Sequence, residues 1–130
     1  MKYYLSLALV MVLLVSCKHE KKAEVKETTV EATTHDISIE ELRKNKEKYK
    51  NQTVRLRGEV TKYNPDIMHI NWIHIKDGTS FNGKSDVTAT STTEVKLGDT
   101  ISIEGKVTLD KNFGSGYVYP ILIENATITK

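Results

Sequence analysis

Three side chains able to do chemistry alternate along one short stretch. Trp72, His74 and Lys76 are separated by Ile73 and Ile75 within Asn71–Lys76. A period of two puts the first three on one face of an extended strand and the isoleucines on the other. If Ile73 and Ile75 fill a core, an indole, an imidazole and an ammonium face outward. Phe113, Tyr117 and Tyr119 form a second aromatic group further along the chain. Rings of this kind stack on bases or sugars, at about 1–3 kcal/mol per stacked base. The alternative is packing, since the single tryptophan of a small domain commonly covers its core.

Met68, His69 and His74 raise a metal reading, because thioether and imidazole suit Cu(I). His69 falls in a loop and His74 in mid-strand, so a shared ion requires the two to converge; the plain alternative is surface histidines. Cys17 is the one cysteine, which excludes an internal disulfide and a multi-cysteine metal site. No Ser-His-Asp spacing, phosphate-cradling glycine loop or HExxH motif is present. Gly114-Ser115-Gly116 and Asp77-Gly78 read as turns. The expectation is a chain without catalysis and without a cofactor. Formal charge is +2, from 19 Lys+Arg against 17 Asp+Glu. That balance gives no general electrostatic reason to seek nucleic acid.

The elements that must position these residues begin after two N-terminal segments. Met1–Ser16 carries Lys2 and then an apolar run, Tyr3–Val15, broken only by Ser6. At about 13 residues it is short of the roughly 20 that span a bilayer and fits a signal peptide. Lys18–His35 has no aromatic residue and no apolar periodicity, and its lysines and glutamates balance. Such a composition reads as a flexible tether, with a reach of roughly 25 Å. One domain, 36–130, follows.

Ser38 with Glu41 three residues later is a capping signature, and Ile39, Leu42, Lys46 and Tyr49 fall near one face. A helix from Ile39 to about Lys48 is predicted. Arg43, Lys44, Lys46, Lys48 and Lys50 crowd this segment. They read either as its solvated back or as a surface for phosphate or lipid head groups. Strands are predicted over Thr53–Lys62, Asn71–Lys76, Asp86–Thr92, Thr100–Leu109 and Tyr117–Ile128. Turn residues separate them: Asn64-Pro65-Asp66, Asp77-Gly78, Asn82-Gly83, Leu97-Gly98-Asp99 and Gly114–Gly116. Val54–Val60 and Ile101–Val107 share one pattern with a central glycine, Gly58 and Gly105. Mid-strand glycine suits a strand that bends sharply. Together these features predict a mainly β fold, a small five-stranded barrel preceded by one short helix.

Leu14-Val15-Ser16-Cys17 resembles the lipobox of bacterial lipoproteins. The resemblance implies a diacylglycerol on Cys17 and cleavage before it, which leaves no free thiol. Lys18 rather than Asp after the cysteine points to the outer membrane. A second resemblance rests on Val54–Val60, Asn71–Gly78, Val95–Gly105 and Lys111–Pro120. These strings look like a family of small exported bacterial OB-fold proteins and lipoproteins described as nucleic-acid-binding-like, and the match covers roughly 37–126. In an OB-fold, ligands meet the outer face of the second and third strands and two loops, here Tyr63–Ile70 and Asp110–Gly116. The resemblance therefore implies a site drawn from Trp72, His74, Lys76, Tyr63, Asn64, Thr88, Lys111, Phe113 and Tyr117, with Thr90 beside Thr88.

Lys62, Lys76 and Lys111 are the only bases nearby, interleaved with Asp66, Asp77 and Asp110. A single-strand nucleic-acid groove is normally basic. The leading expectation is a lipid-anchored cell-envelope binding module whose partner is a protein, a glycan or a small ligand. The alternatives are an oligonucleotide-binding OB domain and a Cu(I)- or haem-related periplasmic carrier.

Overall fold

The computed structural model describes residues 33–130. The signal-like segment, Cys17, His19 and nearly all of the predicted tether lie outside those residues. His35 is an exception: His35–Asp36 form a short strand, β1, parallel to the start of the next strand, with His35 opposite Val54. The last residue assigned to the tether is therefore the first of the sheet.

The predicted helix is two short ones, α1 (Ile39–Lys44) and α2 (Lys46–Tyr49), broken at Asn45 with φ −118° and ψ 34°. The Asn45 side chain donates to the Glu41 carboxylate at 3.0 Å, and its backbone N–H donates to the Glu41 carbonyl at 3.0 Å. Ser38 caps α1 as expected, its hydroxyl accepting from the Glu41 N–H at 3.1 Å. The Glu41 carboxylate also accepts from the Tyr49 hydroxyl at 2.8 Å, so it ties α1 to α2.

Five long strands follow: β2 (Thr53–Ile67), β3 (Ile70–Phe81), β4 (Lys84–Ser91), β5 (Thr100–Asn112) and β6 (Val118–Thr129). β2 pairs β5 through its first half and β3 through its second. β3 pairs β4, β4 runs parallel to β6 for Thr88–Leu122 and Ala89–Ile123, and β6 pairs β5. The pairings close a ring of hydrogen-bonded strands with β1 added beside β2. The alternating residues Val54, Leu56 and Val60, Ile73 and Ile75, Ile101, Ile103 and Val107, and Ile121 and Ile123 fill the core, joined by Ile39, Leu42 and Tyr49 from the helices.

The strands are longer than the alternation predicts because two turn-like strings are absorbed into them. Asn64-Pro65-Asp66 stays within β2, where the β2–β3 register slips between Asn64 and Ile67. The chain reverses instead at Met68-His69, with Ile67 opposite Ile70. Asp77-Gly78 stays within β3 and serves the helix. Asp77 accepts from the Ile39 N–H at 2.8 Å, and Thr79 Oγ1 from the Glu40 N–H at 3.0 Å. Partial burial pushes the Asp77 carboxyl up, but the Thr79 hydroxyl and the Ile39 and Thr79 amides outweigh it and hold it below the ordinary carboxylate range.

The repeated glycines are points of close approach. A Cβ on Gly58 would lie 2.5 Å from the Lys76 carbonyl oxygen, and one on Gly105 would lie 2.7 Å from the Ile123 side chain. Both glycines sit where one strand passes tightly over its neighbour, Gly58 over β3 and Gly105 over β6.

Candidate functional site

Two turns stand near each other at one end of the ring. The first is Met68-His69 between β2 and β3. The second joins β5 to β6, where the Phe113 N–H donates to the Tyr117 carbonyl at 2.9 Å and the Tyr117 N–H to the Gly114 carbonyl at 3.0 Å. The Asn112 side chain fixes its start by accepting from the Gly114 N–H at 2.7 Å. Between the turns lies a groove of about 390 Å³. Asn64, Ile67 and Met68 line one side, Gly114, Ser115 and Tyr117 the other, and Trp72, Phe113 and Tyr119 lie between.

Trp72 is not a free outward ring. It is only 5% exposed yet lies outside the core cluster. Its Nε1–H donates to the Ile67 carbonyl at 3.1 Å, which ties the ring to the base of the first turn. Phe113 meets it edge-on at 5.2 Å, Tyr119 lies tilted at 5.3 Å, and those two rings meet edge-on at 5.8 Å. These geometries are the preferred ones for aromatic pairs. The cluster makes a rigid apolar bed, while Tyr117 (67% exposed) and Met68 (61% exposed) form its open rim.

No charged side chain lines the groove. Lys111 approaches from behind, its Nζ 5.7 Å from the Phe113 centroid and 3.1 Å from Glu124 Oε1. Hydrogen bonding from Thr108 and the charge of Lys111 hold the Glu124 carboxyl below its usual range against partial burial. The base predicted here is thus neutralised by an acid.

The remaining predicted site residues lie elsewhere. Tyr63 packs against the core cluster. His74 is half-buried, with Nδ1 3.0 Å from Asp86 Oδ2. Arg43 reaches the same residue, donating through Nε to the Asp86 carbonyl at 3.0 Å with its Nη2 on that oxygen too. Burial pushes the Asp86 carboxyl up, but His74 and Arg43 outweigh it and leave it low. Asp86 therefore joins β4 to β3 through His74 and to α1 through Arg43. Lys76 is exposed on the strand pair opposite Asp86. Thr88 and Thr90 are buried, and Thr90 Oγ1 accepts from the Asn125 N–H at 3.1 Å. They belong to the β4–β6 junction and offer no open surface.

Met68, His69 and His74 do not converge. His69 is fully exposed and has only Asp66 nearby, at 4.0 Å. His74 lies about 13 Å of extended strand beyond Ile70, with Nδ1 turned to Asp86. Among the described residues, no group of three His, Cys, Asp or Glu could hold a metal ion.

The sequence did not give the His74–Asp86–Arg43 contact, for a reason of register. Counting back from the Asn82-Gly83 turn misplaces Asp86, because Phe81 pairs with Lys84 but Lys76 pairs with Asp86. β3 carries extra residues across this interval, the ones that cap α1. Ile67 and Ser115 were also missed as groove residues; their flanking turns were the available signal. No protein-family model matches the chain, and no curated protein matches it.

Proposed function

We propose that the chain is an exported OB-fold binding module, held on the bacterial envelope by acylation of Cys17. It performs no catalysis and takes a protein segment, a glycan or a small ligand in the aromatic groove. The ring order β2-β3-β4-β6-β5, closing back on β2 with β4 and β6 parallel, supports the OB-fold reading. In that fold ligands meet the second and third strands and the loops at this end.

The observation that carries the proposal is the groove: three interlocked rings under an exposed tyrosine and methionine, with no charged side chain in the lining. Such a surface favours an uncharged partner presenting a flat or apolar face. Oligonucleotide binding ranks below it, because phosphates find no cation in the lining and Lys111 is paired with Glu124.

Trp72 is the single tryptophan of the chain, so its emission reports groove occupancy directly. Titration with soluble glycan fragments and peptides from envelope digests is expected to quench or shift that emission at saturation. Tyr117→Ala, on the open rim, should weaken the response about tenfold or more. A response that Tyr117→Ala leaves unchanged would place the ligand elsewhere. A salt-sensitive response to a single-stranded oligonucleotide would favour the nucleic-acid reading instead.

A further inference from the structure

We infer that the lysines of α1 and α2 rest on anionic lipid head groups of the membrane carrying the chain, so that the aromatic groove faces away from it. This orientation rests on the proposed acylation of Cys17.

Charge is unevenly spread. Arg43 to Lys50 holds five bases and one acid, Glu47, whereas the two signs balance from Gln52 onward. Arg43 is engaged by Asp86. Lys44, Lys48 and Lys50 are exposed and Lys46 half-buried. Among the described residues none of these four lysines makes an ion pair; unpaired bases of the strand region, such as Lys62, Lys84 and Lys106, are spread along the chain, whereas these four fall within seven residues. Dispersed ammonium groups on flexible stems suit a diffuse anionic surface, where planar guanidinium forks suit discrete sites.

One of these lysines, Lys48, lies close to the point where the chain from Cys17 reaches the sheet. Lys48 Nζ lies 5.1 Å from the Tyr49 ring centroid, and Tyr49 lies edge-on to His35 at 5.6 Å. Only 17 residues, Lys18 to Thr34, separate Cys17 from His35, so an acylated Cys17 brings this end of the domain towards the bilayer. The groove is at the other end. About 33 Å of strand separates Val54, beside His35, from Asn64 in the groove, and about 23 Å separates Gly105 from Asn112 along β5. A lipid chain and a basic surface are complementary signals: together they fix both attachment and orientation.

The test uses the full chain reconstituted into vesicles of phosphatidylcholine, alone or with one third phosphatidylglycerol. Flotation with the neutral vesicles reports the acyl anchor. In the anionic vesicles, acetylation of Lys44, Lys48 and Lys50 should slow roughly fivefold, with Lys62 unchanged and high salt restoring the rate. Trp72 emission should be insensitive to nitroxide-labelled head groups. A variant with Lys44, Lys48 and Lys50 changed to Gln should float equally well and show no dependence of Lys46 acetylation on anionic lipid.

Flotation without lysine protection overturns the orientation and leaves the anchor standing. Quenching of Trp72 by labelled head groups overturns it by placing the groove against the membrane. Protection by an added oligonucleotide in neutral vesicles overturns it by assigning the lysines to nucleic acid. Failure to float removes the anchor and the orientation with it.

Discussion

The turns at Asn82-Gly83 and Met68-His69 share a backbone but not a chemistry. Each closes a two-residue hairpin, and each puts both central residues at positive φ: 50° and 73° for Asn82 and Gly83, 56° and 62° for Met68 and His69. Asn-Gly is the preferred pair for this geometry, because glycine lacks the Cβ that crowds the next carbonyl. Methionine and histidine resist it. The favourable pair lies at the α1 end of the sheet, where the structure needs only to reverse direction. The unfavourable pair lines or borders the groove, with Met68 on its rim. Strained backbone concentrates where surrounding structure holds it and function uses it. Here the holding structure is visible, since Trp72 fastens to Ile67 one residue before the turn.

The comparison can be broken in several ways. Trp72→Ala should have the largest effect, costing about 3–4 kcal/mol in urea unfolding through loss of the ring cluster. It should also free the Met68-His69 turn, seen as faster amide exchange there than at Asn82-Gly83. Equal exchange at the two turns would show that Trp72 does not hold the strained one. Gly83→Val comes next, at about 1–2 kcal/mol, because it imposes on the relaxed hairpin the strain the other already carries. Asp77→Ala should cost about 1 kcal/mol by leaving the Ile39 amide at the start of α1 without its acceptor. The pH dependence follows with its sign. Asp77 has a folded-state carboxyl held low, so the unfolded chain binds the proton more readily. Its contribution is complete above the ordinary carboxylate range and is lost as pH falls through the lowered value. The urea midpoint of Asp77→Asn should therefore fall less steeply below about pH 4 than that of the native chain. The smallest effect sharpens the contrast. Replacing Met68-His69 by Asn-Gly should stabilise the domain by up to about 1 kcal/mol while weakening ligand binding at the rim. Tighter folding with undiminished binding would remove Met68 from the site.

The core was legible because alternation is a strong signal. Ile73, Ile75, Ile101 and Ile103 are buried as the period of two requires. The two mid-strand glycines read correctly as special positions, and what each provides is close approach to a neighbouring strand. The site was half legible. Trp72, Asn64, Phe113 and Tyr117 do come together, but alternation shows which side of a strand a residue takes, not what then covers it. Trp72 lies outside the core cluster and is nonetheless buried, because Phe113 from the β5–β6 turn and Tyr119 from the start of β6 pack against it. Thr88 and His74 failed for a related reason, being on the expected strands but already spent on β6 and on Asp86. Asp77-Gly78 was misread because its turn chemistry serves a helix far back in the chain, a long-range use that local pattern does not reveal.

The ring has one thin seam. β4 and β6 meet through only two residue pairs, and beyond them hydroxyls take over from the ladder: Ser91 Oγ donates to the Ala126 carbonyl at 2.7 Å, and Thr90 accepts from Asn125. That substitution accounts for a strand rich in buried Thr and Ser. Its consequence lies in how the domain comes apart. Parting β4 from β6 therefore breaks fewer ladder pairings than parting any other two neighbouring long strands, while the side chains packed across the seam still have to separate.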